Sequence, residues 1–253
     1  MGRQAGILRM TGGIGEISFY HHRVYGYLVR RKGGATAEKV KRDPRFARTR
    51  ENASEFGAAA RSGKLLRDAL KRYLKTSGDF SVTQRLTQCM VRITKLDAVH
   101  ERGERRVSGG LLSGEGRSLL QGFPFFANHP PDDGLMRSLH VDPATGVVVV
   151  PEPIEHLRSY VGKHVTHVRL KAVTLFADFD LQEVKGFVSQ AADLSLAGFS
   201  GDVTLLPEGF AQQPGVRITV LLVVFLQELN GELYVLEEGK MMAPIAVVPT
   251  LQA

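Results

Sequence analysis

The chain has 253 residues, 43% hydrophobic and 23% charged, values that exclude global disorder and allow one large folded domain or two smaller ones. Its formal charge of +7 is unevenly spread: residues 1–120 carry 25 Lys and Arg against 11 Asp and Glu, residues 121–253 carry 8 against 15. A lone Cys89 excludes an intrachain disulfide and any cysteine-built metal site.

The N-terminus lacks an apolar stretch of signal-peptide length, and the longest apolar run, Val220 to Leu226, is too short for a membrane span. The expectation is cytoplasmic synthesis without a classical signal peptide and no membrane insertion, with later release to the exterior left open. Residues 1–36 read as a β-ribbon or arm. Glycine turns at Gly12, Gly13 and Gly15 separate a run over Ile7 to Met10 from one over Glu16 to Tyr20. Val24 to Lys32 follows, with β-branched and aromatic residues at period two. Such a ribbon is marginal alone and needs a host surface, its own chain or a neighbour's.

Residues 37–100 read as a basic helical hairpin. Asp43 is a good N-cap and Pro44 suits the first helical position, so a long helix is expected from Pro44 to about Lys75. Its stripe runs through Ala53, Phe56, Ala60, Gly63, Leu66, Leu70 and Tyr73, with a small-residue middle where a break into two helices is the alternative. Ser77-Gly78 resembles a C-cap. Ser81 with Gln84 has the capping-box spacing for a second helix over about 82–100, with Val82, Leu86, Met90 and Ile93 on its apolar face and Cys89 as a buried thiol.

Residues 101–138 read as linker and loops, because 101–116 is glycine-rich and charged. Residues 139–253 read as an antiparallel β-sandwich without intervening helices. Its strands are expected over Gly146 to Val150, His164 to Asp178, Glu183 to Leu196, Val203 to Leu206, Val216 to Glu228, Glu232 to Glu238 and Ala243 to Val248. The almost continuous apolar run of Val216 to Glu228 marks a central strand covered on both faces. Asn230-Gly231 marks a tight hairpin. The fold class is therefore α+β: ribbon, helical hairpin, sandwich.

No motif carries catalysis. Gly12-Gly13-Ile14-Gly15 lies between strands and lacks the Lys-Ser/Thr of a phosphate loop, so these are turn glycines. His21-His22, and likewise His164 and His167, alternate across a strand and do not form a metal pair. Ser200 in Gly198-Phe199-Ser200-Gly201 lacks the nucleophile-elbow spacing. No catalytic residue, metal ligand, cofactor or small-molecule substrate is expected.

What stands out is charge with aromatics. Arg30, Arg31, Arg48, Arg50, Lys64 and Arg72, with Phe19, Tyr20, Tyr25 and Tyr27 on the ribbon and Phe56 on the helix, could meet a polyanion or a neighbouring copy. Asp178, Asp180, Glu237 and Glu238, with Asp132 and Asp133, are the acidic counterparts for contact between copies. A third reading is a solvated helix face partnered by Glu51, Glu55 and Asp68.

Over residues 12–100 the chain resembles a family of uncharacterised Bacteroidetes-type bacterial proteins. The matching stretches include Gly13-Ile14-Gly15, Ile17-Ser18-Phe19-Tyr20, Gly26-Tyr27-Leu28-Val29-Arg30, Asp43-Pro44-Arg45-Phe46-Ala47-Arg48-Thr49-Arg50-Glu51-Asn52 and Gly63-Lys64-Leu65-Leu66-Arg67. The resemblance implies a recurring ribbon-plus-helix module with variable C-terminal halves, and no activity.

Three functions follow as expectations. The first is a non-enzymatic structural subunit that assembles head to tail, as opposite charges on one chain favour. The second is a nucleic-acid-binding protein of mobile-element origin using the basic half. The third, a carbohydrate-binding sandwich, is disfavoured by the lack of tryptophan.

Overall fold

A computed structural model describes residues 2–6, 8–74, 79, 81–162 and 164–250, the side chains of 237–239 apart. The chain is α+β and divides into two compact units, Met1–Arg50 and Glu51–Ala253.

In the first unit β1 (Gly2–Arg3), β2 (Gly12–Ile14), β3 (Ile17–His22) and β4 (Gly26–Arg31) form an antiparallel sheet ordered β1-β4-β3-β2. The strand expected over Ile7 to Met10 is not there. Ile7 lies outside the described residues, and the Gln4 side chain holds Met10 in a loop, accepting from its N–H at 2.8 Å and donating to its carbonyl at 3.0 Å. Gly2 and Arg3 pair with β4 instead. After the sheet, α1 (Ala37–Arg42) is capped by the Thr36 hydroxyl. Asp43 then caps a single 3-10 turn over Pro44–Phe46, accepting from the Arg45 N–H at 3.0 Å, so the Asp-Pro pair starts a helical segment as its chemistry requires.

That turn leads into α2 (Ala47–Ala69), continuous through its small middle, and α3 (Lys71–Leu74). The interruption between them is slight, since Leu70 N bonds to Leu66 O and Leu74 N to Leu70 O. The Ser77-Gly78 cap and Lys75 lie outside the described residues. The buried positions of α2 are Ala59, Ser62, Gly63 and Leu66, whereas Phe56 is 57% exposed and Ala53 is exposed, so the expected stripe is buried only toward the C-terminal end.

α4 (Val82–Lys95) buries Val82, Leu86, Cys89, Met90 and Ile93, as its periodicity demands. It runs opposite to α2: a Cβ on Gly63 would meet Leu86 and Met90 at 3.7 Å, and Arg67 donates to Thr83 at 2.8 Å. The Ser81–Gln84 capping box does not form. Ser81 is already helical, and its hydroxyl is used as a donor to Asp79 at 2.6 Å. α4 also stops short of residue 100, because Asp97 captures the backbone N–H groups of Val99 and His100 at 2.8 and 3.2 Å.

The segment expected as linker is built into the core. α5 (Val107–Gly110), α6 (Gly114–Leu120) and α7 (Asp133–Ser138) bury Val107, Leu111, Leu120 and Leu135. Its glycines serve close approach. A Cβ on Gly110 would lie 2.0 Å from the Ile93 carbonyl oxygen, one on Gly116 2.1 Å from the Gly110 carbonyl oxygen, and one on Gly109 2.2 Å from Asp97 Oδ1.

The remaining elements are β5 (His140–Val141), β6 (Val148–Val150), α8 (Pro153–Leu157), β7 (His167–Asp178), β8 (Glu183–Val188), β9 (Ala192–Ser195), β10 (Val203–Leu205), β11 (Gly215–Leu229) and β12 (Glu232–Thr250). Four of them run β12-β11-β7-β8, with β9 also on β7, while β10-β6-β5 form a second sheet. Two expected boundaries change. Glu183 to Leu196 is two strands that both pair with β7, and the last two expected strands are one, β12, whose Pro244 and Pro249 are tolerated because it is an edge. α8 interrupts the strand series, started by Pro153 at its first position.

β11 is covered on both faces. Val216, Ile218, Val220, Leu222, Val224 and Leu226 join one core with α2, α4, α5, α6 and Phe123, Phe125 and Phe126. Leu221, Val223 and Phe225 join the other with β6, β10, α7 and α8. The larger sheet is thus sandwich-like toward β10-β6-β5 and helix-covered on its far side. The free edge of β12 is closed by the 121–125 segment, through Gly122 N to Pro244 O at 2.7 Å and Phe125 N to Met242 O at 2.9 Å.

Candidate functional site

In the first unit the pleat sorts the expected residues. Cross-strand partners share a face. Ile17 opposes Arg31, Phe19 opposes Val29 and His21 opposes Tyr27 on one face. Ser18 opposes Arg30 and Tyr20 opposes Leu28 on the other. Phe19, Tyr27 and Arg31 therefore act together, Tyr20 with Arg30 acts on the reverse, and Tyr25 sits in the turn against His22. The Arg30 guanidinium stacks 5.3 Å from the Tyr20 ring centroid, and Arg9 at the same distance from Tyr27. Arg31 pairs with Glu16 at 2.6 Å, with both side chains largely exposed.

Leu28 is the single buried apolar side chain among the described residues 2–50. Ile14, Ile17, Val24 and Tyr25 are exposed. The unit also carries 12 Lys and Arg against 3 Asp and Glu, a formal +9 that exceeds the charge of the whole chain. The result is a cationic, aromatic sheet with almost no core.

The other expected cations divide between the two units. Arg50 is a structural group, donating to Val40 O at 2.8 Å and Asp43 O at 3.0 Å to close the end of α1. Arg48 is exposed on the first turn of α2. Lys64 is exposed in the second unit, and Arg72 there stacks 4.7 Å over Tyr73. Of the solvated-face partners, Glu51 pairs with Arg102 at 3.1 Å and Glu55 accepts from Gly103 N at 2.7 Å.

The expected acids also have duties inside the chain. Asp178 orders the β7–β8 turn by accepting from Asp180 N and Leu181 N at 2.9 and 2.8 Å, and Asp180 pairs with Arg106 at 3.2 Å. Asp132 caps α7. Glu237 and Glu238 lie on β12, their side chains outside the described residues.

Sequence reasoning missed an acidic projection. β7 follows β11 only as far as Leu226, so Gln227–Leu229 and Glu232–Tyr234 continue as a two-stranded hairpin, tied at its base by Glu228 N donating to Thr166 Oγ1 at 2.7 Å and by Leu233 against the core. Its turn is Asn230 and Gly231, with φ of 55° and 82°, the left-handed pair a tight hairpin needs. Leu229, Tyr234 and Val235 are exposed on it. Residues 226–239 hold four glutamates and no basic residue. The Asn-Gly signal located this hairpin, but only the register of β7 reveals that it protrudes.

Asp79 and Cys89 are among the titratable groups displaced from their ordinary values. Burial opposes ionisation of Asp79, yet hydrogen bonds from Ser81, Arg85 and Ala127 N–H bring it down to about 2. Burial raises the Cys89 thiol to about 11, an inert, protonated side chain at neutral pH.

No family model, curated protein or solved structure matches the chain. Among the described residues no three His, Cys, Asp or Glu side chains are placed to hold a metal ion, and no helix is long and apolar enough to cross a membrane.

Proposed function

We propose that the chain is a non-enzymatic structural subunit that assembles head to tail into a filament, tube or particle. One observation carries the reading: the unit Met1–Arg50 has a formal +9 and, among its described residues, buries one apolar side chain. A unit of this size needs more buried apolar surface than that to hold its shape, and a neighbouring molecule is the natural supplier.

The β11–β12 hairpin of a second copy fits that need. Leu229, Tyr234 and Glu232 lie on one of its faces, and Ile14, Ile17 and Arg31 lie on one face of the basic sheet. Apolar centres with opposite charge at their margins give register and fast association. Because the two surfaces differ, the contact is heterologous and generates rings or open helical polymers.

Sedimentation and negative-stain microscopy at 0.1 M and 1 M salt, which shortens the screening length from about 10 to about 3 Å, test this. Ordered polymers that loosen at high salt are expected. The variant Glu232→Lys should polymerise less readily alone, and should co-assemble with an Arg31→Glu chain. A monodisperse monomer at every salt and protein concentration would remove the reading.

The second reading is a nucleic-acid-binding protein of mobile-element origin, favoured by the stacking of Arg30 on Tyr20 and Arg9 on Tyr27. An absorbance excess at 260 nm in the purified particles would put it first.

A further inference from the structure

The unit Glu51–Ala253 contains a cleft of about 430 Å³ between α2, the loop before α5 and the β7–β8 turn. We infer that it binds the phosphate group of a small phosphomonoester. The inference is independent of whether the chain polymerises.

The cleft is lined by three arginines, Arg61 from α2 and Arg105 and Arg106 from the loop, and by two acids, Glu104 and Asp180. Arg106 is neutralised by Asp180 across one wall. Arg61 and Arg105 make no hydrogen bond or ion pair among the described residues. Among the described residues the Nε atoms of Arg67, Arg105 and Arg217 are buried without a partner. Two of these residues donate elsewhere: Arg67 Nη1 to Thr83 and Arg217 Nη1 to Pro143 O, both within 3 Å. Of these three, Arg105 alone has no side-chain hydrogen bond among the described residues. Its terminal Nη nitrogens, unlike Nε, are not buried and can donate to an acceptor in the cleft.

The loop that presents Arg105 is rigidly held. Asp97, with its side chain fully buried, accepts from Val99 N, His100 N, His100 Nδ1 and Arg106 N. Gly109 leaves the room Asp97 occupies. On the opposite wall Asp178 pins the β7–β8 turn. Two guanidinium groups carried by backbone held in this way suit a tetrahedral group with several acceptor oxygens and more than one negative charge. The cleft volume is within the range of small-molecule sites and exceeds a bare phosphate, so an organic substituent is accommodated. A polynucleotide, by contrast, tracks along an extended cationic surface.

Titration calorimetry of the full chain at low salt decides the matter, with inorganic phosphate, adenosine monophosphate and a single-stranded oligonucleotide as probes. One saturable site per chain is expected for the monophosphate, with phosphate competing. Arg61→Gln, on an exposed helix position, and Arg105→Met should each weaken binding about tenfold or more while the melting temperature of the Arg61 variant is kept. Failure of both small probes to bind overturns the inference. So does binding that is unchanged in both variants. Binding of the oligonucleotide alone would assign the arginines to a polynucleotide surface instead.

Discussion

The two units follow opposite designs. Residues 51–253 hold two cores on the two faces of one sheet and carry 21 Lys and Arg against 23 Asp and Glu, close to neutral. Residues 1–50 hold Leu28 and a formal +9. The first design stabilises itself, since each fully buried aliphatic side chain contributes about 1.5–3 kcal/mol. The second is closed by backbone ladders, stacked arginines and short caps, contributions that largely compensate for lost water contacts. The difference is one of apolar burial: the small basic sheet is the part of the chain with the least core of its own.

Hydrogen exchange on the unassembled chain is the most direct way to break this contrast. Amides of β3 and β4 should exchange at least about a thousandfold faster than those of β11, a gap of about 4 kcal/mol in opening free energy. Equal protection in the two sheets would mean that the small unit is stable without a partner. Polymerisation should close much of the gap.

Glycine substitutions probe the core next. Gly110→Ala places a methyl group 2.0 Å from the Ile93 carbonyl oxygen, a backbone atom that cannot yield locally. It should cost about 3 kcal/mol in chemical denaturation. Gly57→Ala, where the new Cβ meets only Arg61 Nη1 at 3.6 Å, should instead add about 0.5–1 kcal/mol through helix propensity. If Gly110→Ala were neutral, the 101–116 segment would indeed be a linker.

The smallest effect concerns acid. Asp79 is held at about 2 in the folded chain, below its ordinary 3.8. Its contribution is fully present above pH 4 and is lost as pH falls from about 4 toward 2, since the unfolded state then binds the proton first. At neutral pH the contribution is about 2 kcal/mol, so Asp79→Asn should lower stability by roughly that amount and flatten the acid limb between pH 4 and 2. An unchanged acid limb would show that Arg85 and Ser81 do not depend on this carboxylate.

Much of the fold was legible because it rests on local chemistry. Asp43-Pro44 starts a helical segment, the α4 stripe of Val82, Leu86, Met90 and Ile93 is buried, and Asn230-Gly231 makes the hairpin. Val216 to Leu226 is the doubly covered central strand, as unbroken hydrophobicity demands. The candidate site was legible only in composition. The structure places Phe19, Tyr20, Tyr27, Arg30 and Arg31 on one small sheet, whereas Arg50 closes a helix end and Phe56 lies outside the core. Nothing in the sequence separates a paired arginine from an unpaired one, so the roles of Arg61, Arg105 and Arg106 were hidden.

The amino-acid sequence by itself determined the α+β class, the asymmetric charge, the central strand and the tight hairpin, because periodicity, caps and turn residues act over a few positions. Only the tertiary structure decided what Gly109, Gly110 and Gly116 are for. A glycine permits flexibility and close approach equally, and the choice belongs to the atoms that come to lie against it, here Asp97 Oδ1 and the carbonyls of Ile93 and Gly110. The same holds for the acidic hairpin and the arginine cleft: both exist because strands and loops distant in sequence end, or meet, where long-range packing puts them.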